Sequence, residues 1–117
     1  MPKTANYTQR LLRGKREHKR ARIWQAMRIM RSFTLADLVA TCEYPQEHKR
    51  SIGVFVSALR RAGYLTVQRR NIGKHEAPVF RLVRNSGPHC PSIVHRGATV
   101  LDHNDGTEYP VESGGRS

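Results

Sequence analysis

Apolar positions recur with helical spacing through the first half of the chain and with strand-like spacing in its middle. Ile23, Trp24, Met27 and Met30 fall at i, i+1, i+4 and i+7, which predicts a core-facing helix over residues 16–31. Arg20, Arg22, Arg28 and Arg31 lie off that stripe. Ser32-Phe33 breaks the period, and Phe33 can open a short strand. Thr34 suits an N-cap, with Asp37 three residues on in a capping-box arrangement. A second helix is expected over 35–41, with Leu35, Leu38, Val39 and Cys42 inward and Cys42 acting as a small hydrophobe. Glu43-Tyr44-Pro45 reads as a turn, because proline suits the approach to a helix and not its interior. Ile52, Phe55, Val56 and Leu59 set a third helix over 46–62, stopped by Gly63.

Strand patterns follow. Residues 64–70 alternate with Leu65 and Val67 on one side, and residues 79–84 place Phe80 and Leu82 opposite Arg81. Between them, Asn71 to Gly73 carries turn chemistry inside the basic stretch Arg69 to His75. Gly87-Pro88 and Cys90-Pro91 read as an extended connector. The turn signal His103-Asn104-Asp105-Gly106 allows a small hairpin near 98–111, with Val100 or Leu101 and Tyr109 packing back on the domain. The expected organisation is a basic disordered arm over 1–15, a folded domain over 16–84 and an extended tail over 85–117, whose last residues, 112–117, are disordered.

Charge sharpens this division. The chain of 117 residues has a formal net charge of +12, and its first 84 residues hold 19 of the 21 basic side chains. Residues 85–117 hold two basic and four acidic side chains. Such an imbalance favours a polyanionic partner, and its confinement to one part of the chain assigns the two parts different work.

The order is helix, short strand, helix, turn, helix and a two-stranded hairpin with a basic tip. At Thr34-Leu35-Ala36-Asp37-Leu38, Leu59-Arg60-Arg61-Ala62-Gly63-Tyr64-Leu65 and Val79-Phe80-Arg81-Leu82 the chain resembles winged-helix DNA-binding domains. The whole chain, tail included, also looks like small winged-helix proteins of Mu-like transposable phages. The resemblance implies an α+β winged helix-turn-helix of three helices and a hairpin wing, with double-stranded DNA as the partner. It further implies a sequence-preferring transcriptional regulator or a phage-type accessory factor, cytoplasmic and associated with the nucleoid.

Three surfaces are candidates for the contact. With Ile52, Phe55, Val56 and Leu59 buried, helical geometry turns Arg50, Val54, Ser57 and Arg61 outward, flanked by Lys49, Gly53 and Arg60. Arg50 or Lys49 can reach a guanine edge, and Val54 a thymine methyl. An exposed arginine taken singly only solvates a helix, so the case rests on their coincidence. The wing offers Arg69, Arg70, Lys74 and His75 to phosphates or a minor groove. The arm and the start of the first helix add Lys15, Arg16, Lys19 and Arg20.

Other chemistries find little support. His89, Cys90, His95 and His103 match no structural zinc spacing, and Asp102, Asn104 and Asp105 lack the glycine offset of a calcium loop. Without a phosphate-cradling glycine loop, a nucleophile elbow or an acid–base pair, no enzyme and no cofactor are expected. No apolar run suggests a secretory signal or a membrane span, so reduced thiols are expected. Two other functions fit the same pattern. A winged helix can serve as a protein-interaction module, and RNA binding is possible in principle, although Tyr7 and Tyr44 are too few for a stacking platform. The tail is a candidate for self-association or a protein partner.

Overall fold

The computed structural model describes residues 18–72 and 75–112, with backbone alone over 70–72 and 75–76. The basic arm and residues 113–117 lie outside the described residues. Helix α1 covers 18–30 and is followed by β1 (Ser32–Phe33) and α2 (Leu35–Thr41). A 3-10 turn (Gln46–His48) leads into α3 (Lys49–Arg61), and β2 (Leu65–Ile72) and β3 (His75–Leu82) form a long hairpin. Three short strands complete the described chain: β4 (Ser92–Val94), β5 (Thr99–Leu101) and β6 (Glu108–Pro110). The fold is α+β, three helices with two small three-stranded antiparallel sheets, ordered β1-β3-β2 and β4-β5-β6.

Local chemistry accounts for the helix ends. The Asp37 backbone N–H donates to Thr34 Oγ1 at 3.1 Å and the Thr34 N–H to Asp37 Oδ2 at 2.9 Å, so both halves of the expected capping box form. At the far end of α3, Gly63 takes φ +94° and lets the Tyr64 N–H reach the Leu59 carbonyl at 2.9 Å, closing a Schellman motif. The same motif ends α2, where the Tyr44 N–H donates to Val39 at 3.0 Å. There the left-handed position belongs to Glu43, at φ 58°.

The predicted inward faces meet in one core. Ile23, Trp24, Met27, Phe33, Leu38, Val39, Cys42, Ile52, Phe55, Val56 and Leu59 are all buried, with Leu65, Phe80 and Leu82 from the hairpin. Met30, Leu35 and Val67 pack against them, half-buried. The register pairs Leu65 with Leu82 and Val67 with Phe80, which puts these four on the core face and Arg81 on the other.

The hairpin is longer than its sequence pattern suggests. Ile72 pairs with His75 and Asn71 with Glu76, so Asn71 and Ile72, read as part of a turn, belong to the ladder. Short hairpin connections satisfy more backbone groups in cross-strand bonds. Pro78, which disguises the start of β3, is tolerated because β1 pairs only with Phe80 and Arg81 and leaves that stretch of β3 an edge.

The tail keeps the expected hairpin and adds to it. The hairpin foreseen near 98–111 is present as β5 and β6, with Val100 opposite Tyr109. A third strand, β4, joins it. Val100 is fully buried in the core shared with α1 and α3, and Ile93, Tyr109 and Val111 pack beside it. The Trp24 indole donates to the Gly87 carbonyl at 3.0 Å, and Trp24 and Tyr109 both pack edge-on against Tyr64. Gly87, at φ +148°, admits no side chain, since a Cβ there would sit 2.5 Å from Asn104 Oδ1. Residues 85–112 thus complete the core that 18–84 begin.

Candidate functional site

Helix α3 presents the face its periodicity predicts. Lys49, Arg50, Val54 and Arg60 are exposed, whereas Gly53, Ser57 and Arg61 are half-buried. Among the described residues, Lys49, Arg50 and Arg60 form no ion pair. The N-terminus of α3 has no side-chain cap and no acidic residue in its first turn. Two cations at the positive end of a helix dipole cost about 0.3–1 kcal/mol each. Lys49 and Arg50 therefore work against the helix that carries them.

Packing joins part of this face to the hairpin. Gly53, Ser57 and Arg60 of α3 line a shallow groove of about 290 Å³ with Leu35 of α2 and Arg69 of β2. Lys19 comes to the start of α3, where its Nζ donates to Ser51 Oγ at 3.2 Å. Among the described residues a Cβ on Gly53 would meet only Leu35 Cδ1, at an ordinary 3.7 Å, so none of them demands a glycine there.

Two other predicted residues have partners within the chain. The Arg61 Nε lies 3.4 Å from the Ser57 carbonyl, and the Arg61 carbonyl accepts from the Glu112 N–H at 3.2 Å, which ties this residue to the end of the described tail. The Arg20 guanidinium lies 5.3 Å from the centre of the Phe55 ring, on the buried side of α3, and lines a different cleft beside β4. Lys15, Arg16 and Lys74 fall outside the described residues, and of Arg70 and His75 only the backbone is described.

Three polar residues to which the sequence pattern gave no structural role hold the site in place. Arg22 donates to the Cys42 carbonyl at 3.1 Å and stacks 5.2 Å over Tyr44, fixing the turn before α3. Burial pushes the Cys42 thiol up from its usual range, with Arg22 opposing. Arg84 donates to the Ala62 carbonyl at 3.0 Å and stacks over Tyr109 at 4.0 Å, a cation at the negative end of α3.

Asp102 is fully buried and accepts from the Tyr64 hydroxyl at 2.6 Å and from the Asn104 N–H at 2.8 Å. Burial acts to raise its pKa, but hydrogen bonds from Ser86, Tyr64 and Asn104 outweigh it and hold the carboxyl below its ordinary value. Burial, reinforced by the carboxylate, pushes the Tyr64 phenol well above its usual range. The Asp102–Asn104 half of this network is an Asx turn written in local sequence. The Tyr64 half spans 38 residues and has no sequence signal.

His89, Cys90, His95 and His103 do share one cleft, but among the described residues no three His, Cys, Asp or Glu side chains converge as a metal site. No helix among the described residues is long and apolar enough to cross a membrane. The chain matches no protein-family model, no curated protein and no solved structure.

Proposed function

We propose that this chain is a winged-helix DNA-binding protein in which α3 enters the major groove and the β2–β3 hairpin lies along the backbone or an adjacent minor groove. The observation that carries the reading is a basic face, Lys49, Arg50 and Arg60, without an ion pair among the described residues, on a helix that packs against both α2 and β2. The order α1-β1-α2-α3-β2-β3, with β3 between β1 and β2, is compatible with a helix-turn-helix carrying a wing. Lys49 and Arg50 reduce the stability of α3, so their use is better sought in an anionic ligand, which a helix N-terminus also attracts. Arg60 and Arg69 flank one groove and would follow a phosphate run, while Arg50 and Val54 face outward toward base edges. On this reading the protein acts as a sequence-preferring regulator or accessory factor.

Selection from a random duplex pool at physiological salt tests it. An enriched site is expected, bound well above random DNA. Arg50→Ala should weaken that site by about 1–3 kcal/mol and relax its preference, and Arg60→Ala should flatten the slope of log affinity against log salt by about 0.9. Equal affinity for selected and random duplex would leave only non-specific binding, and no binding at all would overturn the reading in favour of a protein partner.

A further inference from the structure

A second cationic surface lies apart from the α3 groove. Between the start of described α1 and β4 runs a cleft of about 1000 Å³, lined by His18, Arg20, His89, His95, Arg96 and His103 along its polar side. Among the described residues no carboxylate lines it, although residues 85–117 carry more acidic than basic side chains. Two of the four carboxylates of this segment are engaged elsewhere. Asp102 is buried under Tyr64, and Asp105 accepts from the Thr107 N–H at 2.9 Å. The guanidinium of Arg20 is held over Phe55, and Ser92 Oγ lies 2.7 Å from His103 Nε2. Pro91, Ile93 and Val94 give the same cleft an apolar side. None of Gly53, Ser57, Arg60 or Arg69 reaches it.

We propose that this cleft binds a phosphate-bearing nucleotide, free or within a nucleic-acid strand, independently of the α3 face. Guanidinium groups match phosphate oxygens in paired hydrogen bonds, and imidazoles add further polar partners. The apolar side suits a base or sugar, and the volume falls at the upper end of that common for ligand sites. A bare anion would have no use for that apolar side.

The test titrates the full chain with adenosine diphosphate, inorganic pyrophosphate and a short single-stranded oligonucleotide, read by calorimetry and by amide chemical shifts. Shifts are expected at 18–21 and 92–97. The variant carrying His95→Asn and Arg96→Asn keeps the fold testable, because both positions are left-handed, at φ 54° and 57°, and asparagine tolerates that conformation. It should weaken the bound nucleotide by roughly tenfold or more, a change of about 1.4 kcal/mol, while duplex binding through α3 stays unchanged. Arg50→Ala with Arg60→Ala should do the reverse. Binding of the diphosphate identifies a free nucleotide as ligand, and binding of the oligonucleotide alone identifies a strand. Pyrophosphate binding as tight as the diphosphate overturns the nucleotide assignment. Shifts confined to α3 and the hairpin, or an unaffected double variant, overturn the site.

Discussion

The Tyr64 hydroxyl donates a 2.6 Å hydrogen bond to Oδ2 of Asp102, a carboxylate with no exposed surface. Tyr64 directly follows the glycine that ends α3, and Asp102 directly follows β5. One bond therefore fixes the end of the candidate recognition helix to the second sheet. Arg84, stacked over Tyr109 and bonded to the Ala62 carbonyl, braces the same junction.

This junction should be sensitive to acid. The folded-state pKa of Asp102 lies below its ordinary value, so its contribution is present above the unfolded pKa of about 3.9 and is lost as pH falls through the folded one. Tyr64→Phe removes one donor from a buried carboxylate and should cost about 1–3 kcal/mol at neutral pH by urea unfolding. Asp102→Asn should lower stability at neutral pH yet lose less of it between about pH 5 and pH 3 than the parent chain does. An unchanged acid slope in Asp102→Asn would assign the effect to other carboxylates.

Ending the chain after Arg84 should abolish cooperative folding. The cut removes buried Val100, the carbonyl that accepts from Trp24, and Asp102. Burial of one valine-sized side chain stabilises by about 1.5–3 kcal/mol, against a total of roughly 5–15 kcal/mol for a domain. Trp24 is the one tryptophan, so its fluorescence reports the loss of this core directly. A truncated chain with a sharp thermal transition and a blue-shifted Trp24 would refute the tail's part in the core.

Glu43 occupies a left-handed position at φ 58°, where glycine has no steric penalty. Glu43→Gly should raise stability by about 0.5–1 kcal/mol, after the entropy glycine adds to the unfolded chain is subtracted. Thermal unfolding checks this, and a lower melting temperature would show that the Glu43 side chain contributes more than its backbone costs.

Gly53 separates folding from binding. A methyl there meets Leu35 at an ordinary distance, and alanine gains up to about 1 kcal/mol of helix propensity. Gly53→Ala should therefore be at least as stable as the parent by urea unfolding. If DNA approaches the α3 backbone at this point, the same variant should bind the selected duplex more weakly. Stability gained with affinity unchanged would place the DNA contact away from Gly53.

Much of the helical part was legible in the residues themselves. The stripe Ile52, Phe55, Val56 and Leu59, the Thr34–Asp37 capping box and the stop at Gly63 are local signals, each complete within a turn or two of helix. The exposure of Lys49, Arg50, Val54 and Arg60 follows from the same periodicity. Partners distant in the chain decided the rest. Strands of three residues such as β4 and β6 carry no readable period, and they form because Val100, Tyr109 and Ile93 find Trp24, Tyr64 and α3 to cover. The Arg20 guanidinium packs over Phe55 and the Arg61 side chain bonds the Ser57 carbonyl of its own helix, since side chains as long as arginine settle where packing and acceptors are found. The sequence alone determined which helices form and which charges they carry. The hairpin of the tail, with Val100 and Tyr109 inward, was foreshadowed by its turn; only the tertiary structure decided that β4 joins it and that Asp102 is buried beneath Tyr64, because a buried carboxylate is stable only once its donors have been brought to it.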